Sequence, residues 1–233
     1  MSIIGNIGWW QPGTAAPPVS SVPIIMAKSK ANQNDNQATT ITVPKPFGTV
    51  EGDYLFVCIG IKTGTTTTDW DGFTEISGST NGGTTLAIAY KIAGASEPAD
   101  YTFTWGTDDR QAAIMLRIND QNLTDAINVV LSNGSSSNVT EATALSILTT
   151  VDNSLLLTFY GARTEDSGMG LGPGDGPIGM DEVDVAEGGG FAFDLAAAQK
   201  DIVTQGNTGD QIWAGQSAPG GQYTAFSVAI APA

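Results

Sequence analysis

The chain has 233 residues, with 9 Lys+Arg against 24 Asp+Glu and no histidine, for a formal charge of −15 and a pI near 4.1. Without imidazole there can be no Ser-His-Asp triad, Cys-His pair or histidine metal site, and the lone Cys58 can form neither an internal disulfide nor a zinc cluster. So acidic a chain has no basic face with which to displace counterions from phosphates, which excludes nucleic acid as the expected partner.

Residues 1–22 read as an extended docking arm. Pro12, Pro17 and Pro18, with Gly5, Gly8 and Gly13, forbid a helix and discourage a central strand. Ile3, Ile4, Ile7, Trp9 and Trp10 are strongly apolar, and disordered tails are poor in aromatics. Two placements are open: the arm fills a groove on its own domain, or it anchors on another subunit through the two tryptophans, as buried aromatic hot spots do. The Pro-rich stretch 12–18 then acts as a semi-rigid spacer. The start MSIIGNIGWWQPG lacks the basic region and long apolar core of a secretory signal, so none is expected.

From Val22 onward the apolar period is two, which predicts a single β-sandwich domain over 23–233. Ile41-Thr42-Val43 alternates. Tyr54 to Ile61 is nearly continuous in apolar residues, as in a strand covered on both faces. Thr85 to Ile92 alternates again, and Tyr101-Thr102-Phe103-Thr104-Trp105 puts three aromatics on one face. Strands are also predicted at Ala112 to Ile118, Ile127 to Leu131, Leu145 to Leu148, Leu155 to Tyr160, Phe191 to Leu195 and Phe226 to Ile230. Turn signals separate them at Asp71-Gly72, Asn81-Gly82-Gly83, Asn133-Gly134 and Pro219-Gly220-Gly221. Helical composition is confined to Leu195 to Lys200 and Asp120 to Ala126, each predicted as a turn at most. The fold class is therefore all-β, an antiparallel, jelly-roll-like sandwich with an N-terminal arm. No apolar run reaches the ~18 residues of a helical membrane span, so no membrane partner is expected.

Residues 163–189 break the pattern. This Gly-rich stretch carries seven acids and is predicted as a long loop, a functional element or a subunit contact. Asp175, Asp181, Glu182 and Asp184 offer the hard oxygens that calcium needs, although their spacing does not follow the EF-hand pattern. Calcium is the one cofactor considered, and no metal ligand is assigned. Asp69 and Asp71 flank Trp70, an arrangement of acids and an aromatic platform that suits sugars, so Trp70 is the candidate glycan contact. Chance pairs are common among 24 acids, and no catalytic residue is assigned. The prediction is not an enzyme.

ITVPKPFGTVEGDYLFVCIGIK at 41–62 combines an alternating strand, the turn Pro46-Phe47-Gly48, and Gly52-Asp53 ahead of a long apolar strand, with Gly72-Phe73 following. AGASEPADYTFTW at 93–105 adds an Ala-Ser-Glu-Pro turn and an aromatic strand, and TAFSVAIAP at 224–232 adds a closing strand. Together these resemble a β-sandwich module of tailed-bacteriophage virion structural proteins and related bacterial surface proteins. Phe73 stands where that family most often has Trp. The match covers roughly 39–118 and the C-terminal strand. Gly52 is expected at positive φ, and Asp53 is expected to accept backbone N–H groups in the turn.

The resemblance implies the fold and carries over no catalytic residue. Such modules sit in capsid cement proteins, head fibres and tail fibres. The expected function is thus a structural protein of a phage virion, foremost a capsid cement or decoration protein, assembled in the host cytoplasm. The alternative is a receptor- or glycan-binding tail or head-fibre protein. Expected partners are the major capsid protein or other virion proteins, with a homo-oligomer (a trimer first) contacting them through Ile3, Ile4, Ile7, Trp9, Trp10 and Pro12.

Overall fold

The computed structural model describes residues 20–32, 37–64, 66–81, 83–163, 171, 173–186, 193–214 and 221–233. Among these, every regular element is a strand and every pairing is antiparallel, so the all-β expectation holds. The first half of the chain forms β1 (Ile24–Asn32), β2 (Ala38–Pro44), β3 (Tyr54–Ile61), β4 (Thr67–Asp69), β5 (Thr74–Asn81), β6 (Thr84–Ile92), β7 (Asp100–Asp109) and β8 (Gln111–Asn119). The second half forms β9 (Ile127–Val139), β10 (Glu141–Ala144), β11 (Ser154–Arg163), β12 (Asp181–Ala186), β13 (Phe193–Ile202), β14 (Gln211–Ala214) and β15 (Gly221–Ile230).

Four layers result, where two were expected. Two five-stranded sheets, ordered β1-β8-β3-β6-β5 and β12-β13-β11-β15-β9, face each other. Tyr54, Phe56 and Cys58 of β3 pack with Leu157 and Phe159 of β11 in the core between them, and Phe56 stacks on Phe159 at 5.5 Å. The alternate β3 residues Leu55, Val57, Ile59 and Ile61 point the other way. They are covered by the three-stranded sheet β2-β7-β4, which supplies Ile41, Val43, Tyr101, Phe103 and Trp105. On the far side, Tyr160 and Ala162 of β11 lie under the two-stranded sheet β10-β14, with Trp213 fully buried. The unbroken apolar run of β3 follows from this double cover: neither face meets water.

The two halves repeat one topology. Replacing β1, β8, β3, β6 and β5 by β9, β15, β11, β13 and β12 converts the first large sheet into the second, read from the opposite side, and β2 and β7 become β10 and β14. Gly60 pairs with Leu86 and Ala112, and Gly161 pairs with Leu195 and Thr224, so the registers correspond. TVEGDYLFVCIGIKT at 49–63 then aligns without a gap on TVDNSLLLTFYGART at 150–164, and TTLAIAYK at 84–91 aligns on FDLAAAQK at 193–200. Gly52 and Asn153, equivalent in this alignment, both have positive φ, at 89° and 56°. The halves stack about a pseudo-twofold axis between β3 and β11. Accordingly β1 lies against β12 and β5 against β9.

Several sequence expectations are corrected. Leu195 to Lys200, read as helical, belongs to β13, paired on both sides by β11 and β12. Alanine's helix preference yields to placement, since Ala197 faces the central core while Ala196 and Ala198 pack under the small outer sheet. Asp120 to Ala126 is irregular and links the halves. The predicted strand at 145–148 lies earlier, at β10. Asn133-Gly134 is not a turn but lies inside β9, where a Cβ on Gly134 would fall 2.5 Å from the Tyr223 carbonyl oxygen. The stretch 163–189 is not wholly loop, because β12 crosses it.

Candidate docking surface

The stacking sets the direction of β3 and β11. Gly60 and Gly161, near their C-terminal ends, both abut the Leu86 and Phe193 side chains, so the two strands run the same way. Their N-terminal ends, and the loops 45–53 and 145–153 that lead into them, therefore open on one end of the molecule. The chain's last residues close the same end. Gln121 bridges Pro232, Asn122 N–H donates to the Ala231 carbonyl (3.0 Å), and Ala233 N–H donates to that of Asp120 (2.9 Å).

This end collects exposed apolar side chains. Phe47 is 92% exposed, Val50 59%, Leu123 56%, Leu148 59%, Val151 36% and Val203 65%. Phe47 and Leu148 occupy equivalent positions in the two halves, as do Val50 and Val151. Single exposed apolar residues are ordinary; a group of them gathered on one end marks an interaction surface.

Rigid loops present these side chains. In the first half Gly48 takes φ 73°, Thr49 Oγ1 donates to the Pro46 carbonyl (2.7 Å), and Val50 N–H donates to Asp53 Oδ2 (2.7 Å). Asp53 is itself buried and ion-paired to Arg117 Nε at 2.6 Å. The role read for Asp53 in the turn is thus seen, with the arginine as a further partner. In the second half Thr149 N–H donates to the Gly206 carbonyl (3.0 Å), Gly206 N–H returns a bond to Thr149 Oγ1 (2.9 Å), and Gln205 N–H donates to Asp152 Oδ1 (2.8 Å). Loops held this way lose little entropy on docking. The exposed acids Glu51, Asp120, Asp125, Asp152 and Asp201 rim the apolar side chains.

Beside Leu123 lies a cleft of about 240 Å³ lined by Tyr54, Glu75, Tyr90 and Asp125, among others. Tyr54 stacks on Tyr90 at 5.2 Å, and its hydroxyl is buried with no hydrogen-bond partner. Burial, reinforced by Tyr90, pushes its phenol far above the ordinary range, so it stays neutral.

Ile3, Ile4, Ile7, Trp9, Trp10 and Pro12 lie outside the described residues. The first described residue, Ser20, has its Oγ 3.5 Å from Asn153 Nδ2, beside the apolar end. Trp70, the candidate glycan contact, is half-buried. Its ring meets Phe103 edge-on at 6.0 Å, and its Nε1–H donates to Glu75 Oε2 (3.1 Å). Asp69 Oδ1 accepts from Asp71 N–H (3.0 Å) and Asp71 Oδ2 from Thr102 N–H (2.8 Å), so both carboxylates brace the turn.

Asp175, Asp181, Glu182 and Asp184 do not converge. Asp184 pairs with Lys30 at 2.9 Å and Lys28 at 3.4 Å, while Glu182 Oε2 accepts from Gly174 N–H (2.7 Å). Lys28 Nζ also donates to the Val183 carbonyl and Lys30 Nζ to that of Val185 (2.6 Å), so the lysines of β1 clamp β12 of the other half. Among the described residues no group of three or more acids or cysteines could hold a metal.

Sequence reasoning missed the apolar end. The signal for it was the repeated Thr-Val-acid motif, Thr49-Val50-Glu51 and Thr150-Val151-Asp152, which places an apolar residue in a turn twice. Comparison with protein-family models, with curated proteins and with solved structures found no match.

Proposed function

We propose that this chain is a non-enzymatic structural protein of a phage virion, foremost a capsid cement or decoration protein that strengthens the shell through its arm and through contacts between copies. The observation that carries this reading is the apolar end, built on two equivalent rigid loops, with Ser20, the residue that follows the aromatic-bearing segment 1–19, beside it. Burying such side chains where copies meet on the shell adds about 25 cal/mol for each Å² of apolar surface removed from water. The acidic rim disfavours anionic surfaces as partners. The resemblance of 39–118 to phage virion modules supports the same reading.

The test is quantitative mass spectrometry of purified particles from the phage that carries the gene. Hundreds of copies per particle support shell decoration. Between about three and eighteen copies would place the chain in the tail, and absence from particles would end the virion reading.

A further inference from the structure

We infer that the occupant of the apolar end is the N-terminal arm of a second copy of this chain, so that copies assemble by exchanging arms. The inference builds on the proposed assembly role but does not require a particle.

Three observations converge on it. The first is charge. Residues 1–19 contain no Asp, Glu, Lys or Arg, so the whole net charge of −15 falls on the body. Bodies of like charge repel, and their acid-rimmed ends cannot simply abut. The arm is the uncharged apolar segment able to lie on such an end without opposing its charge, and it carries Ile3, Ile4, Ile7, Trp9 and Trp10.

The second is origin. Ser20 stands beside Asn153, at the foot of β11 and in the midst of the end formed by Phe47, Val50, Leu148 and Val151. The arm therefore starts on the kind of surface it is to cover, which makes exchange between two copies reciprocal. Reciprocal exchange closes a pair, whereas one-way contacts either close into a ring or extend into a filament.

The third is reach. β11 is the central strand of its sheet, with two strands on either side, so the sheet margin is about 10 Å from Asn153. Pro12, Pro17 and Pro18 favour an extended spacer of about 3.1 Å per residue between Trp10 and Ser20. That is about 30 Å, enough to carry the tryptophans past the margin of their own end and onto a neighbour's.

The test uses the full-length chain in sedimentation equilibrium over a range of concentrations. It compares the parent, Trp9→Ser/Trp10→Ser, Phe47→Ser/Leu148→Ser and the fourfold variant. The expected result is a parent that associates, a dissociation constant raised about tenfold or more by either pair, and little further loss in the fourfold variant, because both pairs remove one contact. Association should also tighten from low to high salt as body repulsion is screened. At concentrations where the parent is a single chain, thermal unfolding of Phe47→Ser/Leu148→Ser should match it, since both side chains are exposed.

A parent that stays a single chain throughout overturns the inference and leaves arm and end for a different protein or for each other within one copy. Association indifferent to Phe47 and Leu148, or fully additive losses, overturns it as well. The particle copy number is unaffected by either result, so the two readings fail separately.

Discussion

A methyl group placed at Gly161 tests the pseudo-twofold stacking. A Cβ there would fall 2.5 Å from Leu86 Cδ2 and 2.6 Å from Phe193 Cζ, about 1 Å inside a comfortable carbon contact. Neither side chain has room to retreat, because Gly60 lies against the same two groups: a Cβ on it would be 2.1 Å from Phe193 Cε1 and 3.1 Å from Leu86 Cδ2. Overpacking of this kind costs about 1–3 kcal/mol. For a domain of this size that lowers Tm by about 2–12 °C. The sign is informative, since Gly→Ala at an unstrained site ordinarily stabilises by about 0.4–1 kcal/mol through the unfolded chain. The assay is thermal and urea unfolding of Gly161→Ala, Phe193→Leu and the double variant. Phe193→Leu should recover part of the loss, giving a coupling that independent sites lack. A Gly161→Ala protein as stable as the parent, or more so, would refute the close approach of the two sheets at this point.

Asp53→Ala should cost about 3 kcal/mol, because it leaves the largely buried Arg117 uncompensated and removes the acceptor for Val50 N–H; a change in Tm within error would contradict the bridge. Glu97 is held below the ordinary carboxylate range: burial pulls its pKa up, but N–H of Gly94, Lys91 Nζ and the Tyr101 hydroxyl together outweigh it. A depressed folded pKa contributes stability that is present above the unfolded value of about 4.3 and is lost as pH falls through the folded value. Glu97→Gln should therefore be less stable at neutral pH and show a flatter acid limb below about pH 5 in urea titrations; an unchanged limb would contradict this. Cys58 is fully buried and its thiol is pushed well above the ordinary value by burial, so the native protein should resist maleimide or Ellman's reagent until unfolded; rapid native labelling would show the core to be open.

The fold was legible where pattern and placement agree. Tyr54 to Ile61 reads as a strand covered twice, and the three aromatics of 101–105 do face one core. It was illegible where they part. Ala196, Ala197 and Ala198 carry helix preference, yet they lie in β13, with Ala196 and Ala198 packed under β10-β14 and Ala197 in the central core. The repeat escaped notice because only five of the fifteen aligned positions in 49–63 and 150–164 are identical. Gly60 and Gly161 persist because a side chain at either would strike Leu86 and Phe193. Elsewhere the halves have diverged, and a third outer strand, β4, is seen only in the first. Phe47 was legible as part of a turn, but nothing local reveals that this turn points outward. The acids of 175–184 looked like a cation site for the same reason: the partners of Asp184 are lysines of β1, distant in sequence.

The central claim is that the end bearing Phe47, Leu123 and Leu148 is the covered face of the assembled protein. Hydroxyl-radical footprinting of the assembled and the dissociated chain, read residue by residue, tests it most directly. Protection is predicted at Phe47, Leu123 and Leu148, while Leu131 and Ile178, exposed elsewhere on the body, stay as reactive as in the free chain. Undiminished oxidation of Phe47 and Leu148 in the assembly, with protection at Leu131 or Ile178 instead, would contradict the account.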